Sequence, residues 1–265
     1  MLQKHYQGFL NTPTLWEGNT IFNLKQFNIA QNASKINTYI NNNLRLGKYV
    51  ERLVSFQLNQ EQSISILAEN IQIQNDKLTL GELDCLLLKN KKPIHLEIIY
   101  KFYLYDASVG NSEIHHFIGP NRKDSLIEKL DKLKNKQLPL LYSLHCQPYL
   151  NSLGLNSKDI EQQVYFKAQL FIPFNKNVNL KTLNNACIVG YYVSILDLKN
   201  FTDCKFYIPN KKDWLVIPEP HVYWTNFDVF EALTENYFIE KFSTMFWMKQ
   251  LNGEIKKMFL VWWTS

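Results

Sequence analysis

A chain of 265 residues with 46% hydrophobic and 14% aromatic residues can bury a large core, and its 20% charged fraction excludes a disordered polyelectrolyte. The formal net charge of +5 permits contact with nucleic acid without requiring it. Cys85, Cys146, Cys187 and Cys204 show no CxxC spacing, which argues against a zinc knuckle or disulfide framework and for free thiols in a reducing compartment.

No apolar run approaches the roughly 20 residues that span a bilayer, and the N-terminal stretch lacks the apolar core of a signal peptide. The expected location is therefore the cytoplasm, with no membrane partner. Residues 1–43 read as a lead-in with only partial helical spacing. From 44 to 60, Leu46, Tyr49, Val50, Leu53, Val54 and Phe56 recur at helical spacing. Glu51 falls near the edge of that apolar face. Residues 63–74 alternate as a strand and end at Asn75-Asp76.

Residues 78–105 read as two long apolar strands around a basic turn, Lys89-Asn90-Lys91-Lys92. With these four residues as the loop, Leu88 pairs with Pro93, Leu86 with His95, and Asp84 with Glu97. Two carboxylates then lie side by side on one sheet face, where like charges destabilise pairing. A raised pKa on one of them or a shared cation resolves the conflict. Lys101 follows Glu97 by four residues and returns to the same face. Glu82 shares the face of Asp84 and reads as an edge charge before an extra ligand. An acid pair with a lysine beside it suits metal-assisted phosphate chemistry.

Residues 106–120 form a looser loop in which His115 and His116 point to different sides. Residues 121–137 predict a second helix, with Asn121 as N-cap and Leu126, Ile127, Leu130 and Leu133 as its apolar stripe. Arg122, Lys123 and Lys129 are the candidate nucleic-acid contacts on its basic side. An ordinary solvated helix surface is the alternative for most of these charges. Residues 164–173 predict a strand, and 175–185 a polar separation. Beyond it come a buried strand or strand-helix junction at 187–198, two short strand-like runs around Pro209-Asn210, and a helix at 227–237. Asn252-Gly253 between the apolar runs 242–251 and 254–263 is a strong hairpin signal. Trp247, Trp262 and Trp263 on it read first as core, with base stacking as the minor alternative.

Through residue 173 the order is helix, three strands, helix, strand. Acids stand on the first helix and on the second and third strands. The blocks LGKYVERL at 46–53, LGELDCLL at 80–87, HLEIIYKFYLY at 95–105 and GPNRKDSLIEKLDKL at 119–133 follow one another in this order. They resemble an uncharacterised bacterial domain-of-unknown-function family of the PD-(D/E)XK nuclease-like superfamily. The resemblance implies an α/β fold: a restriction-endonuclease-like αβββαβ core with a mixed central sheet, plus a C-terminal α+β extension. It places the nuclease-like domain at 1–174, with its core from about 44, and the extension at 175–265.

The resemblance further implies Asp84 and Glu97 as ligands of Mg²⁺ or Mn²⁺, with Glu51 as a third acid binding directly or through water. Lys101 takes the role of the motif lysine, which positions the attacking water and stabilises charge on the phosphate. The usual motif spaces acid and lysine as ExK. Here position 99 is Ile, and the lysine lies two residues, roughly 7 Å, further along. The implied function is a metal-dependent phosphodiesterase or nuclease, acting on DNA in preference to RNA, in a class that often forms homodimers. The alternative is a catalytically degenerate module that binds nucleic acid or a protein partner without turnover. A third reading is an interaction role centred on the aromatic C-terminal part.

Overall fold

The chain reverses at Asn90 and Lys91 with φ of 51° and 65°, as a two-residue primed hairpin turn requires. The computed structural model describes residues 1–31 and 34–263. The strands are β1 (Ile64–Asn75), β2 (Leu78–Lys89), β3 (Lys92–Tyr105), β4 (Phe117–Ile118), β5 (Glu161–Pro173), β6 (Ile188–Ser194), β7 (Lys205–Tyr207), β8 (Thr244–Lys249) and β9 (Ile255–Val261). They form a mixed sheet in the order β1-β2-β3-β5-β6-β9-β8-β7, with β4 on β3. β5 with β6 and β6 with β9 run parallel. The hairpins β1–β2, β2–β3 and β8–β9 are antiparallel.

Five α-helices accompany these strands among the described residues: α1 (Leu2–Asn11), α2 (Leu46–Asn59), α3 (Leu126–Lys132), α4 (Gln147–Ser152) and α5 (Phe227–Ile239). The chain divides into two compact units built from interleaved segments. One comprises 14–100 and 128–167; the other comprises 1–13, 101–127 and 168–265. We call them the hairpin unit and the C-terminal unit.

In the hairpin unit, β2 pairs with β3 through Lys89–Lys92, Leu88–Pro93, Leu86–His95 and Cys85–Leu96. These pairs have the expected register, although the turn is two residues rather than four and the ladder ends at Cys85–Leu96, short of the expected Asp84–Glu97 pair. Ile71, Ile73, Leu83 and Leu86 of the sheet bury against Leu141, Cys146, Leu150 and Ile160. The stripe of α2 buries Tyr49, Val50, Leu53 and Val54. Each fully buried aliphatic side chain of this size stabilises by about 1.5–3 kcal/mol.

The expected helix at 121–137 is revised. Asn121 is not its cap: Oδ1 accepts the N–H of Ser243 at 2.7 Å. Arg122 adopts φ 55°, which a continuing helix does not allow. The α-helix begins only at Leu126 and passes at Leu133–Gln137 into a π-helical turn, followed by a 3₁₀ segment at Leu138–Tyr142. The N–H of Leu138 reaches back five residues to the carbonyl of Leu133.

In the C-terminal unit, Val193, Phe206, Phe230, Phe246, Met248, Met258 and Leu260 form the core. The hairpin at Asn252-Gly253 is present, with Gly253 at φ 86°. Trp247 is buried, as the core reading expects. The N-terminal stretch contains a helix that its sequence signal did not show: α1 buries Tyr6, Phe9 and Leu10. Residues 211–215, in the second of the two strand-like runs, are a 3₁₀ turn. All four cysteines are free thiols. No helix among the described residues is long and apolar enough to cross a membrane.

Candidate functional site

The acids gather in the hairpin unit. Glu97 lies on β3 and is fully buried. Asp84 lies on β2, one step beyond the last ladder pair, Cys85–Leu96, and Glu97 is the next residue of β3 beyond the same pair. Its Oδ2 accepts the backbone N–H of Ile98 at 2.8 Å. Burial, and then the charge of Glu97, push the Asp84 carboxyl up to about 7; the Ile98 bond opposes this, and Glu51 adds to it. The clash of like charges is thus present, and a proton on Asp84 is one of its two resolutions.

Glu51, half-buried on α2, is drawn into the same field. Burial raises its carboxyl above the ordinary range against the pull of Lys48. The Lys48 ammonium donates to Glu51 Oε2 at 2.9 Å and to Asn70 Oδ1 at 2.8 Å, and pairs with Glu82 Oε1. Burial works to lower the Lys48 pKa, but its bonds to Glu82 and Glu51 outweigh that and raise it. Glu82 is therefore a salt-bridge partner, and Lys48 stands as a tethered cation among these acids. Helical spacing gave no reason to single it out.

A second set of contacts surrounds Glu97. His95, also fully buried, meets Glu97 Oε1 through Nε2 at 3.1 Å. Gln137, at the end of the π-helical turn, donates from Nε2 to Glu97 Oε2 at 2.6 Å. Lys129 donates to Gln137 Oε1 at 2.8 Å. His95 shares a strand face with Glu97 by period-two spacing, a signal that could have found it. Gln137 had no such signal, because its placement follows the π turn.

The basic candidates have varied surroundings. Lys101 belongs to the C-terminal unit, where its ammonium donates to Asp124 Oδ2 at 2.6 Å. Arg122 donates to the buried Asp106 at 2.7 Å and stacks 4.8 Å above the Trp263 ring. Lys123 is exposed, while Lys129 is half-buried against Gln137.

Among the described residues, no group of three or more His, Cys, Asp or Glu side chains is placed to hold one metal ion. A cation that needs fewer carboxylates is a separate case. Mg²⁺ favours carboxylate oxygen, keeps several waters and is usually held by only one or two carboxylates. Asp84 and Glu97 are the two carboxylates here that could serve such an ion, and a cation beside them would offset the Glu97 charge that, after burial, raises the Asp84 carboxyl. Glu51 is held by Lys48.

A family model described as Domain of unknown function (DUF1853) matches residues 4–257. No curated protein and no solved structure matches the chain. With the match covering nearly its full length, the chain belongs to the DUF1853 family.

Proposed function

We propose that this chain is a metal-dependent phosphodiesterase of PD-(D/E)XK type that hydrolyses nucleic acid, DNA in preference to RNA. The observation that carries the reading is the electrostatic coupling of Asp84 to Glu97, carried on the neighbouring strands β2 and β3, with burial and then the charge of Glu97 raising the Asp84 carboxyl to about 7. The order α2, β1, β2, β3, α3, β5, interrupted by the short β4 before α3 and by α4 after it, supports the superfamily assignment. Bound Mg²⁺ or Mn²⁺ would polarise a phosphoryl oxygen and lower the pKa of a coordinated water. Asp84 and Glu97 would hold the ion. The resemblance gives Lys101 the role of stabilising the negative charge that grows on the phosphate.

The second reading is a nuclease-fold module that binds without turnover. It draws support from position 99, where the usual motif lysine is replaced by a buried Ile. It also draws support from the Lys101–Asp124 pair. A cleavage assay on single- and double-stranded DNA and RNA, with Mg²⁺ or Mn²⁺, separates the two. Metal-dependent cleavage lost in Asp84→Asn and Glu97→Gln supports the hydrolase. Binding with no cleavage under any cation supports the second reading.

A further inference from the structure

We propose that Gln137 and His95 are positioning residues that fix the Glu97 carboxylate for metal binding, with Lys129 setting the orientation of Gln137. This deepens the hydrolase reading and rests on Glu97 being a ligand. Glu97 is fully buried, and a carboxylate in that setting persists only where donors compensate its lost hydration. Each of its oxygens has one donor: His95 Nε2 at 3.1 Å on Oε1, and Gln137 Nε2 at 2.6 Å on Oε2.

Both donors are oriented by a further group. Gln162 Nε2 donates to the carbonyl of Leu138 at 2.6 Å, which identifies that atom as the amide nitrogen. It also lies 3.1 Å from His95 Nδ1. Nδ1 then accepts, and the ring proton resides on Nε2, aimed at Glu97. On the other side the Lys129 ammonium can only donate, so the Gln137 atom it contacts at 2.8 Å is the carbonyl oxygen. The NH₂ group of Gln137 is thereby turned to Glu97. A charged donor on its carbonyl also polarises the amide and strengthens that outgoing bond.

A carboxylate oxygen accepts more than one bond, so each Glu97 oxygen keeps acceptor capacity for an ion after binding its protein donor. The two donors set the plane of the carboxylate and hence the direction of that capacity. The wide turn at Leu133–Gln137 has a place in this account, since such π turns recur at functional sites. Losing outer-shell groups of this kind typically costs 10–100-fold in metal affinity.

The test is calorimetric Mn²⁺ titration of the full chain and its Gln137→Met, Lys129→Met and Glu97→Gln variants, with melting temperatures measured alongside. The expected result is Mn²⁺ binding about 10–100-fold weaker in Gln137→Met, a smaller loss in Lys129→Met, and none detectable in Glu97→Gln. A purely structural glutamine would lower the melting temperature and leave the affinity of the folded protein unchanged. Affinities within twofold of wild type in both the Gln137 and Lys129 variants overturn this inference and leave the hydrolase reading standing. A wild-type chain that takes up no Mn²⁺ overturns both. Lys129, half-buried at the outer end of the network, keeps the test valid if Gln137→Met fails to fold.

Discussion

Asp84 Oδ2 accepts the backbone N–H of Ile98, immediately past the point where the β2–β3 ladder ends. The side chain takes over the bonding that a backbone carbonyl would otherwise supply. It also carries a carboxyl raised to about 7. A group whose acid form is favoured on folding binds more protons folded than unfolded. Stability must therefore fall as pH rises from about 4 to about 7. Denaturant unfolding of the metal-free chain at pH 5.5 and pH 8 measures the effect. Wild type loses about 1–3 kcal/mol more over this interval than Asp84→Asn, whose amide oxygen can still accept from Ile98. Adding Mg²⁺ at pH 8 narrows the difference.

Lys101 and Asp124 form a pair in which each side chain is more than one-third exposed, at 37% and 44%. Solvent leaves such a pair about 1 kcal/mol or less of stability. Lys101→Ala is therefore expected to keep its melting temperature within 1–3 °C or so of wild type. Its metal-dependent cleavage rate is expected to fall at least about 100-fold. Unchanged cleavage in this variant would remove Lys101 from the proposed chemistry.

Arg122 behaves differently, because its partner Asp106 is buried. Burial tends to raise the Asp106 carboxyl, but bonds from Ser108 and Arg122 hold it below the usual carboxylate range. Arg122→Gln is expected to cost about 1–3 kcal/mol, by urea unfolding at pH 7. A depressed carboxyl gives stability above its unfolded pKa that is lost as pH falls through the folded value. The variant should therefore denature with acid at a higher pH midpoint than wild type.

Lys123 is exposed, and its side chain is not tied to a buried carboxylate as that of Arg122 is. Lys123→Ala should leave unfolding within about 0.5 kcal/mol of wild type. If it meets a phosphate, the salt slope of DNA binding, measured by fluorescence anisotropy, falls by about one. An unchanged slope rejects the contact.

Lys257 is buried in the C-terminal unit, and its ammonium donates to Gln169 Oε1 at 2.7 Å and to the carbonyls of Trp214 and Val216 at 2.6 and 3.0 Å. Lys257→Met keeps the volume and removes a buried donor from three acceptors, of which the Trp214 carbonyl retains the Gln169 amide at 3.3 Å. Its thermal midpoint is expected to drop by the equivalent of about 2–4 kcal/mol.

The hairpin that carries Asp84 and Glu97 was legible in the sequence because side-chain alternation on either side of a basic turn limits the register, although the turn is two residues rather than the four read there. The stripe of α2 was legible for the same kind of reason. What escaped depended on distant chain. α1 has Gly8 in its interior, a poor helix former. It is there because a Cβ would lie 2.0 Å from the carbonyl of Leu215. Asn121 looked like a cap, yet it bonds Ser243, over a hundred residues on. Lys48 and Gln137 join the site through tertiary contacts with β1, β2 and β3 that no local periodicity encodes.

Asn90 and Lys91 hold two successive left-handed backbone conformations, about six residues along the strands from Asp84 and Glu97. Because facing partners change in single-residue steps, an insertion of one amino acid there would preserve every acid in the sequence yet shift Asp84 out of step with Glu97. Natural variation at that bend should therefore be sparse in length even where its composition drifts, since the bend sets the alignment on which both acids depend.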